Sequence, residues 1–195
     1  MGLRSIALTL VGALVLVGCN ATVPGEPITS NKASTLTKPL PFTPTIKERT
    51  NDRTDGTSFE PCSAYTDGEL RALDINPATV EDAAKVDSAN YRGCHWRGND
   101  YSVARGGTQY SQVVGLEMTL DEYKRYMKTL PWQADRTAHG RSLAVVAENN
   151  YCIAVFRAEL SIVTTRSSST NPSPGRTVEC ERAVAFASLA ITKAP

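Results

Sequence analysis

The chain has 195 residues, of which 41% are hydrophobic, 21% charged and 7% aromatic, enough for one well-filled domain and too few for two large ones. Lys plus Arg number 21 against 20 Asp plus Glu, a formal charge of +1, so there is no basic field to condense on nucleic acid and no acidic tail. Nucleic acid is excluded as a partner on this ground, and charge points to no other.

Residues 1–18 read as an export signal: Arg4, an apolar run from Ile6 to Val17, and small Gly18 before Cys19. The run is shorter than the roughly 20 apolar residues a helix needs to cross the hydrocarbon core, so a cleaved signal is expected rather than a span. Leu16-Val17-Gly18-Cys19 resembles the bacterial lipoprotein box. The resemblance implies a diacylglyceryl thioether on Cys19, cleavage before it, and acylation of the new amino group with a fatty acid such as palmitate. At about 0.8 kcal/mol per buried CH₂, two or more chains anchor the protein without help from charge. The expected location is the extracytoplasmic face of the cell membrane, with the bilayer as partner through the lipid on Cys19.

Residues 19–58 form the expected linker, with five Pro and twelve Ser or Thr between Asn20 and Ser58. Such composition favours a disordered tether reaching roughly 30–40 Å, and it also suits O-glycosylation. Lys47 to Arg53 alternates in sign and reads as solvated. The folded domain is expected over residues 59–195.

Thr66-Asp67-Gly68-Glu69 opens a short helix that ends by Asn76-Pro77. Tyr91 to Arg97 alternates like a strand, Gly98-Asn99-Asp100 turns the chain into Tyr101 to Arg105 as a hairpin, and Gln109 to Thr119 follows as another strand. Thr119-Leu120-Asp121-Glu122 is a capping box for a helix that stops before Pro131. Leu143 to Ala147 and Cys152 to Phe156, joined by Asn149-Asn150, predict a hairpin, with Leu160 to Thr165 as the next strand. Because Leu143 to Ala147 is apolar on both faces, these strands are expected to be central. From Thr177 the spacing of Cys180, Val184, Ala187 and Ile191 makes one helical stripe. The order predicts an α+β domain, an antiparallel sheet packed with helices.

Cys62, Cys94, Cys152 and Cys180 are an even set in an exported domain, so two disulfides are expected. Three connectivities are open. Cys62 with Cys94 and Cys152 with Cys180 is favoured, because each pair ties the start of a terminal helix to a nearby strand. No C-x-x-C spacing occurs and only His95 and His139 supply imidazoles, so no metal or other cofactor is expected.

Glu60-Pro61-Cys62, Gly93-Cys94-His95-Trp96, Gly140-Arg141, Cys152 on a strand, and Cys180-Glu181-Arg182-Ala183 stand in this order behind the lipoprotein box. In that arrangement, over residues 59–193, the chain resembles an actinobacterial family of exported lipoproteins of unknown function, the LprB/LprC type. The resemblance implies a disulfide-bearing α+β lipoprotein and no established reaction.

Candidate chemistry is sparse. His139 and Ser142 are three apart on a loop, without a third group to orient the base. His95 is placed to titrate near neutrality. Arg105-Gly106-Gly107-Thr108 offers backbone N–H groups for an anion but lacks the remainder of a phosphate loop, so it reads as a hairpin connection. Among Trp96, Trp132, Tyr101, Tyr110, Tyr123, Tyr126 and Tyr151, Trp132 beside Pro131 is the candidate for ligand contact. Asp121 with Glu122, and Glu179 with Glu181, have helix-start explanations. The expectation is a membrane-anchored envelope lipoprotein with a non-enzymatic binding or sensing domain for a protein, lipid or glycan. The alternatives are a hydrolase or transferase using His139 and Ser142, and a lipid or glycolipid carrier with an apolar cavity.

Overall fold

The computed structural model describes residues 38–44, 46, 48–84 and 91–195. The expected signal, Cys19 and the linker up to residue 37 lie outside these residues. Seven strands, β1 (Ile75–Asp82), β2 (Arg92–Gly98), β3 (Gly107–Glu117), β4 (Arg136–Ala138), β5 (Arg141–Ala147), β6 (Tyr151–Ala158) and β7 (Ser161–Thr170), form one antiparallel sheet ordered β1-β2-β3-β7-β6-β5-β4. The helices are α1 (Asp67–Arg71), α2 (Leu120–Tyr126) and α3 (Arg176–Ile191). This is the expected α+β class. Two meanders, β1–β3 and β4–β7, meet where β3 pairs with β7 along nearly their whole length.

Local chemistry accounts for the helix starts. Thr66 and Glu69 close a capping box on α1, and Thr119 and Glu122 close another on α2, each hydroxyl and carboxylate taking up an unpaired backbone N–H. Helix α2 is shorter than expected, ending at Tyr126 with Met127 as its C-cap. Asn76-Pro77 does not merely end a helix. After the positive φ of Asp74 the chain enters β1, a strand the sequence pattern had hidden. Proline is tolerated there because β1 is the sheet edge, where a missing N–H breaks no second ladder. Tyr101 to Arg105 is not a strand, since β2 pairs directly with β3 and only Ser102 and Gly106 bridge across the intervening loop. Nor is β5 central: it lies second from an edge. Its two buried faces arise because α3 covers one side while Trp132 bridges to Val146 and packs with Ala144 on the other.

Helix α3 lies across β5, β6 and β7 and buries Glu179, Cys180, Ala183, Phe186, Ala187, Ala190 and Ile191. The Phe186 ring is the hub, edge-on to Trp96 at 5.5 Å and Tyr110 at 6.1 Å, and tilted on Tyr65 at 5.3 Å. Two disulfides, Cys62–Cys94 and Cys152–Cys180, join the favoured partners. Each ties a loop or helix start to a strand, and the chain-entropy model assigns such spans about 3–4 kcal/mol apiece.

Residues 48–58, assigned from composition to the tether, belong to the fold. Arg49, Thr54, Gly56 and Thr57 are buried, and Leu40 and Phe42 pack on the core. The reason is Arg92 on β2, whose side chain is 1% exposed. It donates to the carbonyls of Thr54 (3.0 Å), Thr57 (2.6 Å) and Phe59 (2.7 Å) and to Glu60 Oε2 (3.0 Å). Arg49 donates to the same carboxylate oxygen at 3.0 Å and to the Gly93 carbonyl at 3.1 Å, and sits 3.3 Å from Asp82. Composition reports none of this, because the carbonyls that hold the segment are common to every residue type. Burial pulls the Arg92 pKa down, and the Glu60 carboxylate opposes that shift.

Replacing Arg92 with Met should cost about 3–5 kcal/mol in denaturant unfolding, since three carbonyls and a carboxylate lose their donors inside the protein. The exposed ion pair of Arg97 with Glu81 is worth less than about 1 kcal/mol by the same measurement.

At the other end of the chain Lys193 lies 2.5 Å from Glu69. That contact, with the Thr66 backbone N–H, lowers the Glu69 pKa to about 2 from 4.5. The depressed carboxylate stabilises the fold above pH 4.5, and this contribution disappears as the pH falls towards 2. Glu69→Gln should therefore lower the Tm at neutral pH and flatten its fall across that window, measured by thermal unfolding at stepped pH.

Candidate functional site

The residues singled out from sequence are dispersed. His139 (φ 49°) and Gly140 (φ 77°) form the two-residue turn of the β4–β5 hairpin, which needs positive φ at both positions. His139 and Ser142 are exposed, and no hydrogen bond joins them among the described residues. His95 is half-buried on β2, cross-strand from Glu81 and Ser111. Trp132 is a packing residue: its indole N–H donates to the Met127 carbonyl at 3.0 Å, its ring stands edge-on to Tyr123 at 6.1 Å, and it caps the small cluster of Ala144, Val155 and Ile162. Trp96 and Tyr110 belong to the core around Phe186. Tyr151 stacks under Arg166, Tyr101 under Arg97, and Tyr126 is exposed. Asp121 and Glu122 start α2 as expected. Cys19 lies outside the described residues.

Glu179 and Glu181 separate. Glu181 faces solvent, whereas Glu179 is fully buried against β7. The Ser167 hydroxyl donates to Glu179 Oε2 at 2.5 Å, and Arg182 Nη1 lies 3.6 Å from Oε1. The buried charge thus has a cation one helical turn away, and the first turn of α3 adds its dipole.

Glu179 is one end of a polar seam between α3 and the β3–β7 pair. Arg182 Nη1 donates to Thr108 Oγ1 at 3.0 Å and to Ser169 Oγ at 3.2 Å. Thr108 gives its hydroxyl proton to Asp100 Oδ2 at 2.7 Å and its backbone N–H to Asp100 Oδ1 at 3.1 Å. A hydroxyl has one proton, so in the 3.1 Å contact between Thr108 and Ser169 the serine is the donor. Further along, Tyr65 Oη donates to Gln112 Oε1, and Gln112 Nε2 donates to Thr165 Oγ1 at 2.8 Å. Desolvation raises the Tyr65 pKa well above 10, so the phenol keeps its proton.

Where this seam reaches the surface, two cavities of about 380 Å³ each open beside one another. Asp100 and Arg182 line both. One is completed by Asp74, Asn99, Thr108 and Tyr110, the other by Arg105, Gly106, Gly107, Asn171, Pro172 and Pro174. Gly106 (φ 79°) and Gly107 (φ 136°) take conformations that side chains avoid, and a Cβ on Gly107 would meet Tyr101 Cα at 2.7 Å. Arg105 and Gly106 close the β2–β3 connection, as expected of a hairpin, while Gly107 and Thr108 already begin β3, and the segment walls both cavities. Arg182 has one edge bound to the seam and a side chain 27% exposed. Its remaining N–H groups have no partner among the described residues. The geometry can hold a polar ligand against a guanidinium and a carboxylate whose positions are set from behind. A larger cavity of about 460 Å³ lies between Asp135, Arg136, Arg176 and Glu181. Those side chains are exposed, and only Asp135 among them has a side-chain partner among the described residues, Lys124 at 2.8 Å.

Sequence reading missed Asp74, took Asn99 and Asp100 only as turn residues, and quoted Arg182 only as part of a family mark. The double glycine was the one visible signal, since it requires a backbone turn at this place.

A family model described as a protein of unknown function, DUF3558, matches residues 14–193. The chain belongs to the DUF3558 family. No curated protein and no solved structure matches it. No helix among the described residues is long and apolar enough to cross a membrane, and no cluster of three or more His, Cys, Asp or Glu among them is disposed to hold a metal ion.

His139→Asn should raise stability by a few tenths of a kcal/mol, because Asn-Gly suits this turn better than His-Gly. Thermal unfolding checks it. A drop in Tm would contradict the assignment of His139 as a turn residue.

Proposed function

We propose that this DUF3558 chain is an envelope lipoprotein, anchored through lipid on Cys19 at the extracytoplasmic face, whose folded domain is a non-enzymatic binding module with its site in the Arg182 cleft. The carrying observation is the guanidinium of Arg182, held by Thr108, Ser169 and Glu179, on a side chain that lines two adjoining cavities. A charged fork fixed by buried partners is preorganised for recognition. The hydroxyl–carboxylate pair of the cleft, Thr108 with Asp100 at 2.7 Å, is engaged structurally: Thr108 is buried and its oxygen also accepts from Arg182. The two disulfides support an oxidising compartment. The lipoprotein box and the finer likeness to LprB/LprC-type lipoproteins support the anchor. The core around Phe186 is filled by packed aromatic rings, which disfavours carriage of an acyl chain.

Metabolic labelling with an alkyne palmitate should mark the wild-type chain in its native host and leave Cys19→Ala unlabelled. The wild-type product should fractionate with membranes after loss of its first 18 residues. An unlabelled wild-type chain that keeps those residues would refute the anchor.

A further inference from the structure

We infer that the Arg182 cleft takes a neutral, hydroxyl-rich ligand at least two rings long, an oligosaccharide whose glycosidic junction crosses the Asp100–Arg182 divide. The inference rests on the cleft being the binding site.

Charge comes first. The walls and the seam behind them carry two guanidiniums, Arg105 and Arg182, against three carboxylates, Asp74, Asp100 and Glu179. A simple anion therefore meets no net attraction, and neither does a hydrophobic chain, since polar side chains meet it on both sides. Mixed donors and acceptors suit hydroxyl groups, which do both. A carboxylate accepts from both members of a vicinal diol, a guanidinium donates to both, and the Asn99 amide can do either. Asp74 and Arg105 side chains have no protein partner among the described residues, so they are open for such bonds.

Shape comes second. Each cavity, at about 380 Å³, lies at the lower end of the range for small-molecule sites. Because Asp100 and Arg182 belong to both, they form a divide between two subsites rather than the floor of one. The subsite beside Arg105 also has an apolar surface for the C–H face of a sugar ring, Pro172 and Pro174, whereas Tyr110 in the other is 2% exposed and packed on Phe186, so that subsite is walled chiefly by polar groups. Asp100 and Arg182 are not in direct ion contact. Thr108 Oγ1 stands between them, accepting from one and donating to the other, which leaves lone pairs on Asp100 and N–H groups on Arg182 for a ligand.

The test is an NMR titration of the ¹⁵N-labelled full chain in a non-glycosidic detergent, with N,N′-diacetylchitobiose, cellobiose and trehalose as probes. Glucose, dodecyl maltoside with free maltose, acetate and orthophosphate form the comparison arms. Saturable shifts at Asn99, Gly106 and Gly107 are expected with at least one disaccharide. They should be weakened about fivefold or more for glucose, and unchanged between about 50 and about 500 mM salt. Asp74→Asn and Arg105→Gln, both exposed changes that leave the seam intact, should each weaken binding about threefold or more. Free maltose and its glycoside should behave alike. Response to the glycoside alone would overturn the saccharide assignment in favour of the alkyl chain. Shifts in the cleft with acetate or orthophosphate but no sugar would overturn the ligand class while leaving the cleft as the binding site. A cleft silent to every probe, or sugar shifts confined to another face, would overturn both.

Discussion

The guanidinium of Arg92 is the constraint on which the rest of the structure depends. Taking an arginine out of water is costly unless every direction of its fork finds an acceptor. Three backbone carbonyls and Glu60 supply them, all from residues 54–60. The irregular segment before α1 is thereby laid against β2, and Cys62 comes within bonding distance of Cys94. Arg49 extends the arrangement to Gly93 and Asp82, so the edge of the sheet and the N-terminal coil are one polar unit with a disulfide beside it.

A second polar system has a different use. The β3–β7 pair carries Thr108, Gln112, Thr165, Ser167 and Ser169, all buried, under a helix that contributes Glu179 and Arg182. At Gln112 and Tyr65 the seam closes on itself inside the core. At Arg182 it runs out to the cleft, where the N–H groups not bound to the seam have no partner among the described residues. Buried partners that hold an exposed fork are how a fold converts internal hydrogen bonding into a rigid recognition surface. The Cys152–Cys180 disulfide pins the first turn of α3 to β6, which keeps Arg182 in register with Thr108 and Ser169.

Much of the α+β framework was legible. Capping boxes at Thr66 and Thr119 work within three residues, and strand alternation at β2, β3, β6 and β7 needs only the two-residue period of the chain. Cysteine parity was enough for two bridges. What failed depended on distant neighbours. The edge strand containing Pro77 was hidden because a proline is neutral at an edge and damaging in the middle, and edge position is a property of the assembled sheet. The place of β5 was misread because Trp132 buries its second face, a role usually taken by a flanking layer. Arg49 lay in an alternating charge run that reads as solvated until Glu60 and Asp82 are brought beside it.

The amino-acid order by itself determined the helix starts, the number of bridges and the antiparallel class, because each rests on local chemistry or on parity. Only the tertiary structure decided which polar residues are interior and which line the cleft. Thr108, Asp100 and Arg182 are up to 82 positions apart, and it is the pairing of β3 with β7 under α3 that sets one hydroxyl between a carboxylate and a guanidinium. Hydrogen bonds act over about 3 Å, so a contact across that span of chain has no trace in sequence until the backbone closes it.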